Sequence, residues 1–221
     1  MCIRDRASDE APSEEPDAPP TSQSSQSLRQ IFTPTDVRLA LAAMLIGQLV
    51  MVLIMVTTPL YMNRQAYSDG AISVVMAGHT LGMFGLAALT GWLIDRVGRK
   101  RMISAGAVVL IIASLLAPIA YGLPLLIGAL FLLGLGWNFC FIAGSSLLST
   151  SLGEQERGRA QGANDMFVAL AAGVGSISTG PLYMLGGIVL ICSIGLAISF
   201  GLLVGTLWVE RRTPALVTAG D

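Results

Sequence analysis

Charged side chains are scarce in this chain: of its 221 residues, only 12% are Asp, Glu, Lys or Arg. A soluble domain usually carries about 25% charged residues, so this chain cannot cover a surface that faces water on all sides. Hydrophobic residues make up 53% of the chain, and its mean hydropathy is +0.71. Lipid must therefore surround most of it. The net charge of −1 also argues against nucleic acid as a partner.

Histidine and cysteine are also scarce, which weighs against an enzyme. The sequence contains one histidine, His79, and three cysteines, Cys2, Cys140 and Cys192. Metal catalysis needs clustered His, Cys or carboxylate ligands, and these separated residues do not supply them. The sequence has no Gly-x-Ser-x-Gly nucleophile elbow, and no base is evident for the serines at 145–146. We therefore expect no enzymatic activity, no metal site, no cofactor and no structural disulfide.

Long apolar stretches, in contrast, are abundant. A helix needs about 20 mainly apolar residues to cross the hydrocarbon core of a bilayer. Six stretches are long enough, and the connections between them are short. The predicted spans are 37–59, 71–94, 102–121, 125–147, 163–184 and 187–209. The predicted fold class is therefore an all-α membrane protein with six transmembrane helices in one bundle, at 37–212.

The basic residues predict how this bundle is oriented. All of the 13 basic residues except Arg64 fall on one side of the six predicted spans. Lys and Arg concentrate in cytoplasmic loops, so that side should face the cytoplasm. Both termini are then cytoplasmic, in a multi-pass protein of the cell (inner or plasma) membrane.

The segments that flank the bundle have a different composition. Residues 1–36 are rich in Pro, Ser, Asp and Glu and have no hydrophobic periodicity, so we expect a disordered cytoplasmic tail or an interdomain linker. Residues 213–221 are expected to form a second cytoplasmic tail. The opening residues, MCIRDR, look like a translated sequencing-adapter remnant, which suggests that the chain is a fragment of a longer protein.

The loop between the second and third predicted spans reads GWLIDRVGRKR from 91 to 101. A basic loop alone would only set topology. Here, however, the full spaced pattern resembles the signature loop of the major facilitator superfamily, which acts as a conformational switch. The residues that fill the signature positions are Gly91, Asp95, Arg96, Gly98, Arg99 and Lys100.

Each signature position has a physical reason. Gly91 permits a close helix contact, and Gly98 permits a tight turn. Asp95 can accept hydrogen bonds from an arginine or a helix amino terminus. The cations anchor the loop at the cytoplasmic surface.

The resemblance implies the fold and mechanism of that superfamily. Its members consist of two six-helix halves around a central cavity and work by alternating access. The acidic, Pro/Ser-rich lead-in resembles the family's central linker, which favours the carboxyl-terminal half, although first halves carry this loop more typically. The implied partners are a small-molecule substrate, the lipid bilayer and a missing or separate second half. The sparse charge within the spans suggests a neutral, amphipathic or cationic substrate, expelled in exchange for protons.

Polar residues within the spans are costly in lipid and are candidates for function. Gln48, His79 and Asn138 either line the cavity or bond to neighbouring helices. Asp165, beside Asn164, is expected at the cytoplasmic end of the fifth span as a latch. If unsatisfied, the first three would face hydrocarbon in an isolated half, so we expect them to require a second bundle.

Two alternatives to half of a full-length transporter stay open. The chain could be a half-size transporter that pairs with itself, or a non-transporting membrane receptor or assembly subunit. The sequence contains no extramembrane domain of the size that would bind a partner, and flux through the complete protein separates the alternatives.

Overall fold

The computed structural model describes residues 28–212, except for the side chains of residues 28, 29, 154 and 155. The segments 1–27 and 213–221, with Cys2, most of the predicted linker and the predicted second tail, lie outside the described residues. The described residues form helices and no strands. They are α1 (Leu28–Ile31), α2 (Thr35–Arg64), α3 (Asp69–Phe84), α4 (Ala87–Val97), α5 (Arg99–Leu116), a 3-10 turn (Ala117–Ile119), α6 (Leu123–Thr150) and α7 (Glu154–Arg212).

Regular structure begins before the boundary at residue 36 that the sequence suggested. The short helix α1 lies within 1–36, and its last residue, Ile31, is almost completely buried. Asp36 lies in the first turn of α2, where a carboxylate interacts favourably with the helix dipole, and it pairs with Lys100. These contacts connect residues 31–36 to the helical bundle.

Five helical segments in the described part of the chain are long and apolar enough to cross a membrane. The sequence predicted six, and the difference arises at the carboxyl-terminal end. The fifth segment, Glu156–Arg212, has 57 residues and includes the predicted spans 163–184 and 187–209. The count of six is therefore not confirmed by helix length and composition.

The chain reverses its direction within α7. Gly186 and Gly187 have non-helical backbone angles, and Gly187 has a positive φ of 62°, which favours glycine. Gly175 packs on Leu49 and Val52 of α2, whereas Gly195 packs on Val50 and Ile54 of α2. In an unbroken helix Gly175 and Gly195 would be about 30 Å apart. They reach the same level of α2 because α7 folds back into a first limb (154–185) and a second limb (188–212).

The second predicted span, 71–94, is also interrupted. Helix α3 ends at Phe84 and α4 begins at Ala87, with Gly85 and Leu86 between them. Leu86 has backbone angles of φ −108° and ψ 12°, outside the helical range. A glycine weakens a helix at such a position, and this break leaves backbone groups that need other partners.

Helix α6 packs against α2, α3 and α5. The crossing with α3 is so close that a Cβ atom at Gly82 would meet the carbonyl oxygen of Phe131, and one at Gly134 would meet the carbonyl oxygen of His79. Glycines at both surfaces allow the two backbones to touch, the usual packing device of membrane helices. Helix α6 therefore provides the framework on which the candidate residues are arranged.

Candidate functional site

The basic residues of the signature loop are attached to three other helix ends. Each contact joins the start of α5 to an element distant in sequence, so these ends lie on one side of the bundle. The contacts are Lys100 Nζ to Asp36 Oδ1 at 2.8 Å, Arg99 Nε to Ser146 Oγ at 2.9 Å, and Arg101 Nε to Glu210 Oε1 at 3.5 Å. The loop thus connects the beginning of α2, the end of α6 and the end of α7.

Of the other signature residues, Gly98 and Arg96 have a defined turn conformation or ring contact, whereas Asp95 and Gly91 do not. Gly98 has a φ of 97° and both ends α4 and begins α5, which explains the glycine at this turn. Arg96 lies over the ring of Trp92, 4.1 Å from its centroid. Asp95, however, is exposed and makes no hydrogen bond or ion pair with the described residues. A Cβ atom at Gly91 would meet no described atom within 4 Å. The expected partner of Asp95 and close contact of Gly91 are therefore absent from this part of the chain.

Asp165 does not lie at a helix end. Helix α7 begins at Glu154, so Asp165 follows three turns of helix, because the polar segment before it is itself helical. Its carboxylate is exposed and accepts hydrogen bonds from Gln161 Nε2 at 3.0 Å and Asn164 Nδ2 at 3.3 Å. Asn164 is fully buried, with Nδ2 3.5 Å from Met44 Sδ and Oδ1 unpartnered among the described residues.

Gln48 is bonded to a tryptophan that the sequence reasoning did not single out. Trp137 Nε1 donates a hydrogen bond to Gln48 Oε1 at 2.8 Å, which joins α6 to α2. The Trp137 ring stacks on Phe141 at 4.9 Å between centroids and meets Phe84 edge-on at 6.0 Å. A tryptophan with its polar N–H in the middle of an apolar span needs a partner, and that need was the available signal.

Asn138 forms hydrogen bonds to both sides of the break between α3 and α4. Its Nδ2 donates to the carbonyl oxygen of Met83 at 2.6 Å, on the α3 side. Its Oδ1 accepts a hydrogen bond from Thr90 Oγ1 at 2.6 Å, on the α4 side. In a continuous helix the amide four residues on would occupy the Met83 carbonyl, so Asn138 supplies a donor at the place where the helix is interrupted.

His79 is also bonded within the bundle. Its ring is 2% exposed, and Nδ1 lies 3.0 Å from the carbonyl oxygen of Leu130 in α6. A carbonyl oxygen only accepts, so Nδ1 carries the proton. Nε2 is buried and has no partner among the described residues. His79 lies about two turns along α6 from Asn138, so the structure does not bring these two side chains together.

These contacts correct one expectation from the sequence. Gln48, His79 and Asn138 do not point unsatisfied into hydrocarbon, because each has a hydrogen-bond partner on another helix of the same chain. The cost of burying them is largely offset within the bundle. Each of the three residues thus has at least one partner within the bundle, whereas His79 Nε2 and the Gln48 NH₂ group have none among the described residues.

A cavity of about 660 Å³ lies elsewhere, between the first half of α2 and the second limb of α7. Its wall is mostly apolar, with Arg38 at one end and Trp208 on the α7 side. None of the sequence-predicted site residues lines this cavity.

Residues 39–220 match the Major Facilitator Superfamily. The chain is 34% identical over 171 residues to the uncharacterized MFS-type transporter YdeG of Bacillus subtilis, which covers 76% of this chain and 40% of that protein. It is 33% identical to YddS of the same organism, over 76% of this chain and 39% of that protein. It is 31% identical to the riboflavin transporter RfnT of Brucella anthropi, over 65% of this chain and 36% of that protein. The chain thus spans about two fifths of the length of these relatives. It belongs to the Major Facilitator Superfamily, whose members are multi-pass membrane transporters.

Proposed function

We propose that this chain is one six-helix half of a secondary transporter that moves a small organic molecule by alternating access. Family membership supports transport in general. Two similar proteins are named for small organic substrates: RfnT for riboflavin, and a myo-inositol transporter of Cryptococcus neoformans that is 28% identical over 58% of this chain. Proton-coupled efflux is the direction and coupling we propose, and the scarcity of charged groups within the spans favours a neutral, amphipathic or cationic substrate.

Six crossings follow from the two limbs of α7. Each limb is long enough to span about 30 Å of hydrocarbon, and the reversal at Gly186–Gly187 separates them. With α2, the interrupted pair α3 and α4, α5 and α6, this makes six crossings with both ends on one side. Because the basic residues concentrate on that side, we assign it to the cytoplasm.

The observation that carries the proposal is that some residues of the signature loop are bonded to the bundle and others are not. Three cations of the loop are held by other helix ends of the chain, whereas Asp95 has no hydrogen bond or ion pair with the described residues and a Cβ atom at Gly91 would meet none of them within 4 Å. This arrangement suits a loop that is anchored to its own bundle and leaves the Asp95 carboxylate available to a second one. In one conformation of the transporter Asp95 would accept hydrogen bonds across that interface, and in the other it would release them.

Asp165 is proposed as a second polar contact on the cytoplasmic side. Its exposed carboxylate is fixed in position by hydrogen bonds from Gln161 and Asn164. It can therefore bind a donor from outside the bundle with little further loss of side-chain freedom. Gln48 and Asn138 are proposed to face or border the transport cavity. His79 is proposed as an interhelical bond rather than a proton carrier, because its Nδ1 is engaged by Leu130.

The test is substrate flux into liposomes that contain the complete protein, this chain together with its upstream half. Flux that depends on a substrate gradient or a proton gradient supports the proposal. Binding without flux under any gradient would favour the receptor or assembly-subunit alternative. Flux by purified dimers of this chain alone would favour the self-pairing alternative.

A further inference from the structure

Three aromatic rings and one amide form a cluster on the side of α6 between α2 and α3. The cluster consists of Trp137 and Phe141 from α6, Phe84 from the end of α3, and Gln48 from α2. None of these four side chains is buried: Phe84 is 60% exposed, and the other three are partly exposed. They therefore present a surface and do not fill the core.

The hydrogen bond to Trp137 fixes the geometry of this surface. The indole N–H is satisfied by Gln48 Oε1, and the ring is held by Phe141 behind it at 4.9 Å and 21° between planes. The other end of the Gln48 side chain, its NH₂ group, has no partner among the described residues and is not enclosed. The surface thus offers ring faces and edges for stacking, together with one amide donor at their border.

The surroundings of α6 indicate what this surface faces. Close contacts cover α6 on other sides: Gly136 packs on Leu110 of α5, and Gly144 packs on Met44 of α2. The strip that carries Trp137 lies between two neighbouring helices and carries an unpaired amide donor at mid-span. Such a donor is unfavourable against lipid tails, which suits a space filled by water or ligand.

We propose that Gln48, Phe84, Trp137 and Phe141 form a ligand subsite for a flat heteroaromatic molecule that carries a hydrogen-bond acceptor. The ring of the ligand stacks in the aromatic cluster, and a carbonyl oxygen or ring nitrogen accepts from Gln48 Nε2. The subsite deepens the transport function proposed above and rests on it for its place in a transport cycle, although binding can be measured separately.

The position of the subsite also connects it to the interrupted helix. Phe84 is the last residue of α3, and Trp137 precedes Asn138, which holds Met83 and Thr90 on the two sides of the break. The subsite therefore lies beside the break between α3 and α4.

Equilibrium binding of lumichrome tests the subsite. Lumichrome is a flat tricyclic heteroaromatic with carbonyl acceptors, and its own fluorescence reports its binding to the purified chain in lipid nanodiscs. We expect saturable binding that Trp137→Ala abolishes and Trp137→Phe weakens about three- to tenfold. Gln48→Leu should weaken it by a similar factor. Gln65→Leu, an exposed glutamine at the end of the same helix, should leave the Kd unchanged.

Two further ligands separate the contributions. Naphthalene is flat but has no acceptor, so it should bind more weakly than lumichrome and be insensitive to Gln48→Leu. Inositol is neither flat nor aromatic and should not compete. Non-saturable uptake of lumichrome, or equal Kd values for the parent chain, Trp137→Phe and Gln48→Leu, would overturn the subsite and leave these residues as packing for a second bundle.

The subsite and the transport function fail in different ways. Lumichrome binding with the expected variant effects, but no flux of any flat heteroaromatic through the complete protein, leaves the subsite standing and removes its place in transport. Flux of a non-aromatic substrate without lumichrome binding removes the subsite and leaves transport intact.

Discussion

Thr90 Oγ1 donates to Asn138 Oδ1 across 2.6 Å, so a side chain in the middle of α6 is bonded to the first turn of α4. The same asparagine donates to the Met83 carbonyl before the break, at 2.6 Å. One residue thus satisfies groups on both sides of an interrupted membrane helix. Because water is scarce at this depth, few other partners could replace it.

Replacing Asn138 with leucine should destabilise the bundle. The change keeps a similar volume but leaves the Met83 carbonyl without its donor, at an expected cost of about 1–3 kcal/mol. Thermal unfolding of the chain in mild detergent measures the effect. Asn63→Leu, an exposed asparagine near the end of α2, is the matched control and should leave the midpoint unchanged. Equal midpoints for the two variants would contradict a structural role for Asn138.

Two glycines of α6 should respond oppositely to alanine. A Cβ at Gly134 would run into the His79 carbonyl of α3, so Gly134→Ala must push the helices apart and should lower the unfolding midpoint. A Cβ at Gly128 would meet nothing within 4 Å, and alanine favours helix over glycine by roughly 0.5–1 kcal/mol. Gly128→Ala should therefore be neutral or stabilising. A stable, fully helical Gly134→Ala variant, judged by the same melting curve, would refute the close crossing.

Much of the fold was predictable because lipid imposes few solutions on an apolar chain. The long helices, the turn at Gly98 and the shared side of the basic residues follow from hydropathy, spacing and charge. The interruption at Gly85–Leu86 was not predicted, since the residues around it are apolar and glycine alone does not stop a helix. The residue that bonds to both sides of the break, Asn138, is distant in sequence.

The candidate site was predictable residue by residue but not as an arrangement. Polarity within apolar spans identified Gln48, His79 and Asn138, because such groups are costly in lipid. It could not identify their partners. Trp137 and the Leu130 carbonyl become visible only when the helices are packed together. The start of the helix that carries Asp165 was not predicted, because a polar segment continues a helix beyond the membrane as readily as it ends one.

Asp95→Asn should slow transport without removing the protein from the membrane. The change keeps size but discards the charge that we propose to bond to a second bundle, and no contact with the described residues is lost with it. Flux by the complete transporter at matched expression measures the effect. Asp69→Asn, an exposed carboxylate in the first turn of α3, is the control and should transport normally. Equal flux for Asp95→Asn and the parent protein would remove Asp95 from the mechanism.

Cysteine labelling should place Arg101 of the signature loop and Arg64 at the end of α2 on opposite sides of the membrane. In a chain with Cys2 replaced by serine, Arg101→Cys should react only after the cells are permeabilised, and Arg64→Cys should react in intact cells. The native Cys140 and Cys192 are buried and should stay silent. Labelling of Arg101→Cys from outside, with Arg64→Cys protected, would reverse the proposed orientation.

This polypeptide alone should bind ligand but not transport it. Gln48, His79 and Asn138 each have a hydrogen-bond partner within the chain, so we expect the isolated bundle to stay folded in lipid. It nevertheless supplies only one wall of a cavity. The aromatic cluster around Trp137 is partly exposed, and Asp95 has no hydrogen-bond or ion-pair partner among the described residues to release or regain. Alternating access requires a second bundle that closes over the ligand from either side.

The measurement compares two preparations in liposomes: this chain alone, and this chain co-expressed with an upstream six-helix half. The pair should move substrate down an imposed gradient and serves as the positive control. The chain alone should give no flux above protein-free liposomes. Transport by a stable monomer of this chain alone would contradict the half-transporter proposal. A transporting homodimer would instead show that a second copy closes the cavity, in which case Asp95 of each copy would meet the same surface of the other.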